Sequence, residues 1–323
     1  MNVLSLFDGM SCGQLALREL GIPVTNYFAS EIDQHAMAIT MHNFPNTKQL
    51  GDVCNVKAED LPPIDLILAG SPCQGFSQSG LKKNLEDPRS ALYFEFERLL
   101  LECKPKYFLL ENVVMDSWPE RVITTRLGYD PIKLCGSSFG AIRRPRLYWT
   151  NIPVKPLEDH SKQVIGDILD SDEIDNSDLV WNLDVETIKS SDDYVYSFGE
   201  TFLQWDYAKT PNSKQQCKRA NYLNVKAMTQ CTKDQNKIIL ADNKTIRKWS
   251  VAEIERGHCI PVGYTSCASR SKAIIALGNG WHLGPVKHIL QDIGALMKEP
   301  KYAARHKEQI QLFREQLLER QLI

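Results

Sequence analysis

One cysteine stands where a reactive thiol would be put. Leu66-Ile67-Leu68-Ala69 is an apolar run of strand length, and it leads into Gly70-Ser71-Pro72-Cys73-Gln74-Gly75-Phe76-Ser77. Gly70 and Pro72 set a turn, so Cys73 falls just past the carboxyl end of a strand, where open α/β sheets carry their chemistry. An ionised thiol there is a nucleophile. The plainer reading is a buried core cysteine, but Pro72-Cys73-Gln74-x-Phe76-Ser77 is more specific than a core thiol requires. A second apolar run, Tyr107-Phe108-Leu109-Leu110, delivers Glu111-Asn112-Val113 to the same rim, which makes Glu111 a candidate acid. Arg143-Arg144-Pro145-Arg146 lies between strand-like runs near Pro131–Leu134 and Arg146–Trp149. Three arginines could be a solvated edge; beside a nucleophile they suit an anionic or carbonyl substrate.

The elements that must position these groups begin at once. Val3–Phe7 reads as a first strand, broken by Asp8-Gly9-Met10-Ser11-Cys12-Gly13 before a helical pattern from Gln14 to Leu20. Strand, glycine turn and helix form a unit able to cradle a nucleotide, although the spacing is not that of a dinucleotide fingerprint. Tyr27–Ser30 is the second strand and ends in Glu31, where one carboxylate can grip a ribose diol. Gly51-Asp52-Val53 follows a third such connection, and Asp52 is placed to accept a bond from an adenine amino group. Each acid alone would read as a surface residue; their order with Pro72-Cys73-Gln74 sets them apart. Leu92–Leu101 predicts a helix with Leu92, Phe96, Leu99 and Leu100 inward, and Lys298–Leu322 a charged, amphipathic closing helix.

Phe7-x-Gly9-x-x-x-Gly13, Glu31, Gly51-Asp52-Val53, Pro72-Cys73-Gln74, Glu111-Asn112-Val113 and Arg144-x-Arg146 occur in the order of the motifs of the DNA (cytosine-5) methyltransferases. The chain resembles that family over nearly its whole length. Arg247-Lys248-Trp249-Ser250 with Glu253 and Arg256 is similar to the motif after the recognition domain, and Gly278-Asn279-Gly280-Trp281 to the last cofactor-side motif. Tyr264-Thr265 and Trp281-x-x-x-Pro285-Val286 resemble the eukaryotic de novo branch. Two departures stand out: Ile142 replaces the usual glutamine before the arginines, and Gly257-His258-Cys259-Ile260-Pro261 replaces Leu-Gln-Gly-Phe-Pro.

The resemblance implies a doubly wound, Rossmann-like α/β methyltransferase domain at 1–154 plus 250–323. A small recognition domain would occupy 155–249, with double-stranded DNA in the cleft between. It implies methyl transfer from S-adenosyl-L-methionine to C5 of a flipped-out cytosine, through a covalent bond from Cys73 to C6. The cofactor site falls on Phe7, Asp8, Gly9 and Gly13, on Glu31, Ile32, Asp52 and Val53, and on Pro72, Asn279 and Trp281. Catalysis falls on Cys73, Glu111, Arg144 and Arg146. A free thiol is only roughly 3% ionised at neutral pH, so Arg144 and Arg146 would favour the thiolate. Glu111 would hold a proton at N3 of the base. Flipping costs a few kcal/mol, and the Gln74–Arg89 loop, with Ser77, Ser79, Lys82 and Arg89 as DNA contacts, would close over the base.

Charge divides the middle of the chain. Lys155–Asp206 holds fourteen acids against three bases, whereas Tyr207–Lys248 holds ten bases against two acids. The first part would face away from a phosphate backbone, and the second suits it. Lys218, Arg219 and Lys226 are expected on phosphates, and Thr229 and Gln230 on base edges within Asn221–Gln235. A solvated loop or scaffold strand is the plainer alternative there.

The totals set the outer bounds. With 38 Lys+Arg against 40 Asp+Glu, the chain is not a nucleic-acid binder by bulk charge. Nine cysteines without a Cys-x-x-Cys pair argue against a disulfide framework and a thiolate metal site, so no metal is expected. No apolar run of membrane length and no leader-like start occur, which predicts a cytoplasmic protein, nucleoid-associated if bacterial or phage-encoded. A cognate restriction endonuclease is a further partner the resemblance admits. Two rivals stay open. A tRNA cytosine-5 methyltransferase would carry Cys-Phe-Thr where this chain reads Cys217-Lys218-Arg219 and Cys231-Thr232-Lys233. An inactive regulatory homologue should have lost Cys73, Glu111 or the cofactor residues, and none is missing.

Overall fold

Continuous apolar runs without alternation build strands buried on both faces, and here they build the middle of a seven-stranded sheet, with the shorter, less buried strands Lys48–Gln49 and Ile132–Cys135 at its edges. The computed structural model describes residues 1–71, 88–170, 180–182, 201–206, 217–222, 236–239 and 245–298. Strands β1 (Asn2–Leu6), β2 (Asn26–Ser30), β3 (Lys48–Gln49), β4 (Leu66–Gly70) and β5 (Tyr107–Val113) are parallel. Strand β7 (Pro145–Thr150) runs antiparallel between β5 and β6 (Ile132–Cys135), giving the order β3-β2-β1-β4-β5-β7-β6. Residues 136–144 between β6 and β7 are too few for the crossover that a parallel pair needs, so this pair is antiparallel. The chain winds outward in both directions from β1 and β4, as the expected doubly wound fold requires. That switch point is where such sheets open a crevice beyond their carboxyl ends.

Helices cover the sheet for local reasons. Helix α1 (Cys12–Glu19) follows β1 directly, and α2 (Gln34–Asn43) starts at Asp33, whose carboxylate accepts from the N–H groups of His35 and Ala36. Helix α3 (Pro88–Cys103) buries Tyr93, Phe96 and Leu99 in one core with Phe108, Leu110 and Trp149. It extends further at both ends than its apolar pattern predicts. Helix α4 (Ser117–Leu127) ends at Gly128, whose φ of 73° is the left-handed stop that glycine favours. Arg126 of α4 pairs with the buried Glu97 of α3 at 2.7 Å. The expected helix at Lys298–Leu322 lies, beyond Lys298, outside the described residues.

Packing divides the chain into two units: residues 1–135, 145–157 and 285–323 in one, 136–144 and 158–284 in the other. Helices α7 (Leu283–Leu290) and α8 (Ile293–Leu296) mark the return to the first unit. Three fastenings hold that return. Lys287 pairs with Glu19 at 2.7 Å and Lys155 with Asp292 at 2.8 Å, and Lys106 donates to the carbonyls of Leu296 and Met297.

The second unit contains α5 (Val251–Gly257), α6 (Arg270–Asn279) and an antiparallel sheet in the order β10-β9-β11-β12-β8. Its strands are β8 (Val180–Asn182), β9 (Thr201–Asp206), β10 (Cys217–Tyr222), β11 (Asn236–Ile239) and β12 (Thr245–Lys248). Residues 250–284 fall in this unit, where α5 is tied to Ile168–Asp170. Glu253 accepts from Asp170 N at 2.8 Å, Ser250 donates to Asp170 at 2.6 Å, and Arg256 bonds the Ile168 carbonyl at 2.7 Å and pairs with Asp170. The two departures from the family pattern meet in this unit. A Cβ on Gly257 would stand 2.3 Å from Ile142 Cδ1, so the isoleucine fills the space that the glycine vacates.

Candidate active site

The turn after β1 is wound tightly. Phe7, Gly9 and Ser11 have φ of 56°, 58° and 59°, a left-handed backbone that only Gly9 adopts without cost. The strain is held by bonds. Asp8 N donates to the Ser30 carbonyl at 3.1 Å, Tyr27 donates to the Asp8 carboxylate at 2.9 Å, and Ser11 donates to the same carboxylate. Enclosure pushes the Asp8 carboxyl up to about 6; hydrogen bonds from Ser11, Ser5 and Tyr27 oppose the rise and the nearby Glu31 adds to it.

Glu31, at the end of β2, accepts from Gly9 N at 2.8 Å and from Ile32 N and Asp33 N at 2.8 and 2.9 Å. It thereby ties the β1 and β2 turns together and keeps an open side next to Ile32, which is 73% exposed. Asp52 is exposed and caps the single 3-10 turn Val53–Asn55. Ser30 fixes the residue before it, donating to the Gly51 carbonyl at 2.8 Å. Phe7, Asp8, Gly9, Glu31, Ile32, Asp52 and Val53 therefore belong to the connections that follow β1, β2 and β3 in the first unit, with Gly13 buried in α1. A nucleoside fits such an edge: no atom stands within 4 Å of a Cβ built on Gly9, and an exposed apolar side chain sits beside two acids.

The chemistry-bearing pair lies two strands along. Glu111 is opposite Gly70 across β4–β5, and Arg146 opposite Val113 across β5–β7. Arg146 Nε meets Glu111 Oε1 at 2.8 Å, with the side chains only 13% and 10% exposed. The sequence did not single out Asn112 as a site residue, yet it is buried and bonds Ser71 twice, to the carbonyl at 3.3 Å and to Oγ at 3.1 Å. It fixes the last described residue before Pro72 and Cys73. A polar residue inside an apolar strand end was the available signal.

Pro72, Cys73, Ser77, Ser79 and Lys82 lie outside the described residues, as do Lys226, Thr229 and Gln230. Arg89 falls in the first turn of α3; Lys218 and Arg219 fall on β10, opposite Trp205 and Gln204 of β9. Arg144 does not fall in the first unit. It belongs to the second, is buried, and donates to the carbonyls of Gly278 and Gly280 at 2.9 and 2.7 Å. It thereby brackets Asn279, the last residue of α6, with Trp281 two residues on. Among the described residues no helix is long and apolar enough to cross a membrane, and no three His, Cys, Asp or Glu cluster as metal ligands.

Residues 1–115 match the family model of the C-5 cytosine-specific DNA methylases. Over 117 residues the chain is 45% identical to the type II methyltransferase M.HgiCI of Herpetosiphon aurantiacus, covering 35% of this chain and 27% of that one. It is 40% identical over 112 residues to the type II methyltransferase M.NlaX of Neisseria lactamica, covering 35% of this chain and 36% of the relative. It is 39% identical over 115 residues to the orphan methyltransferase M.SPRI of Bacillus phage SPR, with 35% and 26% covered. The match thus spans about a quarter to a third of these relatives. The fold is similar over 93% of the chain to the Schizosaccharomyces pombe Dnmt2 methyltransferase, with a TM-score of 0.65 at 16% identity and all of that chain covered. The Entamoeba histolytica methyltransferase EhMeth gives a TM-score of 0.67 at 16% identity, with 93% and 99% covered. Residues 1–115 thus match the family's model, while the fold of the chain is similar over 93% of its length to these two solved structures.

Proposed function

We propose that this protein methylates C5 of cytosine in double-stranded DNA, with Cys73 as nucleophile and S-adenosyl-L-methionine as donor. The observation that carries the reading is the Arg146–Glu111 pair at the end of β5, beside the strand whose next residues are Ser71, Pro72 and Cys73. Bound S-adenosyl-L-methionine supplies an electrophilic methyl group. Glu31 would hold its ribose and Asp52 its base, with Ile32 against the purine face; the family resemblance adds Asn279 and Trp281 to the cofactor residues. Cys73 adds as thiolate to C6, forming the C–S bond, and the electron pair shifts toward C5. Glu111 holds a proton at N3, which makes C6 electrophilic, and Arg146 fixes the plane of the Glu111 carboxyl. After methylation, loss of the C5 proton and departure of the Cys73 sulfur restore the aromatic ring. Arg144 serves this reaction from the cofactor side, through the backbone around Asn279.

The functional boundary follows the same reading: 155–249 recognises DNA, and 1–154 with 250–323 carries the reaction. Sequence reading falls on Thr229 and Gln230, with Lys218, Arg219 and Lys226 on phosphates. Double-stranded DNA is the partner the reading requires, and an accompanying endonuclease remains a separate matter.

The test is tritium transfer from labelled S-adenosyl-L-methionine to random-sequence DNA and to tRNA. DNA should be labelled at C5 of cytosine and tRNA left unlabelled; labelled tRNA alone would give the rival reading. Cys73→Ser should fall to background while retaining DNA binding, because an alcohol is not ionised at neutral pH. Mapping methylated sites then checks the insert. Thr229→Ala and Gln230→Ala should relax the pattern by roughly 1–3 kcal/mol at one position, whereas Lys226→Ala should lower activity with the pattern intact. An unchanged pattern in both of the first two would move the reading element elsewhere.

A further inference from the structure

No motif marks Arg98, yet its guanidinium reaches from α3 to the turn behind Asp52. Nη2 donates to the carbonyl of Val56 at 3.0 Å and to that of Val53 at 3.4 Å. The rest of the fork is held by its own helix: Nε and Nη2 meet Glu95 Oε2 at 2.9 and 2.6 Å, and Nη1 meets Glu102 Oε2 at 2.9 Å. Glu95 and Glu102 stand three residues before and four after Arg98, the spacings that share a helix face. The guanidinium is thus oriented by the helix and applied to the turn.

That turn has little of its own to hold it. Val53–Asn55 is one 3-10 turn, closed by Asn55 N to Asp52 O and Val56 N to Val53 O at 3.0 and 3.1 Å. Val53 and Val56 are buried in the core, while Asp52 is exposed. On the near side Ser30 holds the Gly51 carbonyl; on the far side Arg98 holds the Val53 carbonyl. The Asp52 carboxylate is carried between two clamped neighbours, and it also accepts from Cys54 N at 3.0 Å.

We propose that Arg98 is a positioning residue for recognition of the donor's purine amino group: its grip on the carbonyls of Val53 and Val56 sets where Asp52 presents its carboxylate. The inference rests on the reading that Asp52 accepts from that amino group. A lysine cannot replace the fork, because one ammonium on a flexible stem cannot serve two carboxylates and two carbonyls in one plane.

The experiment measures binding of S-adenosylhomocysteine and S-inosylhomocysteine, which carries a carbonyl in place of the amino group, by calorimetry on the full chain. Tm is recorded for every variant. Wild type should prefer the adenosyl compound by about tenfold or more, and Asp52→Asn should lose most of that preference. Arg98→Lys should lower the preference at least threefold. Arg126→Lys, which loosens the neighbouring Glu97 pair, should lower Tm and leave the preference alone. A wild-type preference that survives Arg98→Lys, with only Tm reduced, makes Arg98 structural and overturns the proposal while the Asp52 reading stands. No preference in wild type, or full preference in Asp52→Asn, overturns both. Should Arg98→Lys not fold, Glu95→Gln decides: it leaves the guanidinium but loosens its mooring, and must lower the preference.

Discussion

Acids at the edge of the first sheet and acids of α5 make similar bonds and put them to different use. Glu31 accepts from three backbone N–H groups at 2.8–2.9 Å and remains partly open. Glu255 accepts from Gly263 N, Thr265 N and Thr265 Oγ1 at 2.6, 2.8 and 2.7 Å, and is 1% exposed. Counting hydrogen bonds cannot separate them. A carboxylate offers about four acceptor sites, and only one that a ligand can reach has a use for the remainder. The acids of α5 fold a loop; Glu31 at the sheet edge holds a loop and keeps a side that solvent reaches.

The contrast can be broken by exchanging the two for alanine. Glu255→Ala strands two buried donors on Thr265 and a part-buried one on Gly263 and should cost about 3–5 kcal/mol, a fall in Tm of roughly 10 °C. Glu31→Ala should lower Tm less than half as far and weaken S-adenosylhomocysteine binding about a hundredfold, since two hydroxyl bonds to a charged acceptor are lost. Equal losses of Tm, or undiminished binding, would remove the distinction. Next in size is Glu111→Gln, which keeps shape and loses the proton: kcat should drop about 10²-fold with S-adenosylhomocysteine affinity within about twofold of wild type. Loss of cofactor binding instead would put Glu111 on the other side of the chemistry.

Asp8 gives the smallest effect and the finest distinction. Its carboxyl is raised from 3.8 to about 6 in the folded protein, so the folded state binds the extra proton between those values. The contribution of Asp8 to stability is therefore full below about pH 4 and lost as pH rises through 6. Asp8→Asn abolishes this titration. Thermal unfolding from pH 4 to 8 should show wild type losing a few °C relative to Asp8→Asn, most of it by pH 6. A constant difference across that range would deny the shift.

Much of the first unit was legible because its strands are buried on both faces, and such strands announce themselves as bare apolar runs. The ends of those runs then place Glu31 and Glu111, whereas Asp52 follows the two-residue strand β3 and was marked by its Gly51-Asp52-Val53 setting. What the sequence hid was partnership. Nothing along the chain says that Arg144 spends its donors on Gly278 and Gly280, or that Arg146 meets Glu111 across an antiparallel pair. Ile142 and Gly257 were visible as separate oddities; only packing shows that one compensates the other. Asn112 was hidden for a related reason, since its value lies in a bond to a neighbouring strand. The middle of the chain gave charge but little periodicity, and short antiparallel strands such as β8 and β11, of three and four residues, carry too little pattern to be read.

The fastening of α5 to Ile168–Asp170 has a consequence for how such a chain can change over generations. Ser250 and Asp170 touch at 2.6 Å although eighty residues of sequence separate them, so the segment between leaves and returns at one place. With both ends held by the Ser250–Glu253–Arg256 knot, a change of length between them need not move α5 from Ile168–Asp170. The knot fixes where the intervening sequence, with its five-stranded sheet, must begin and end.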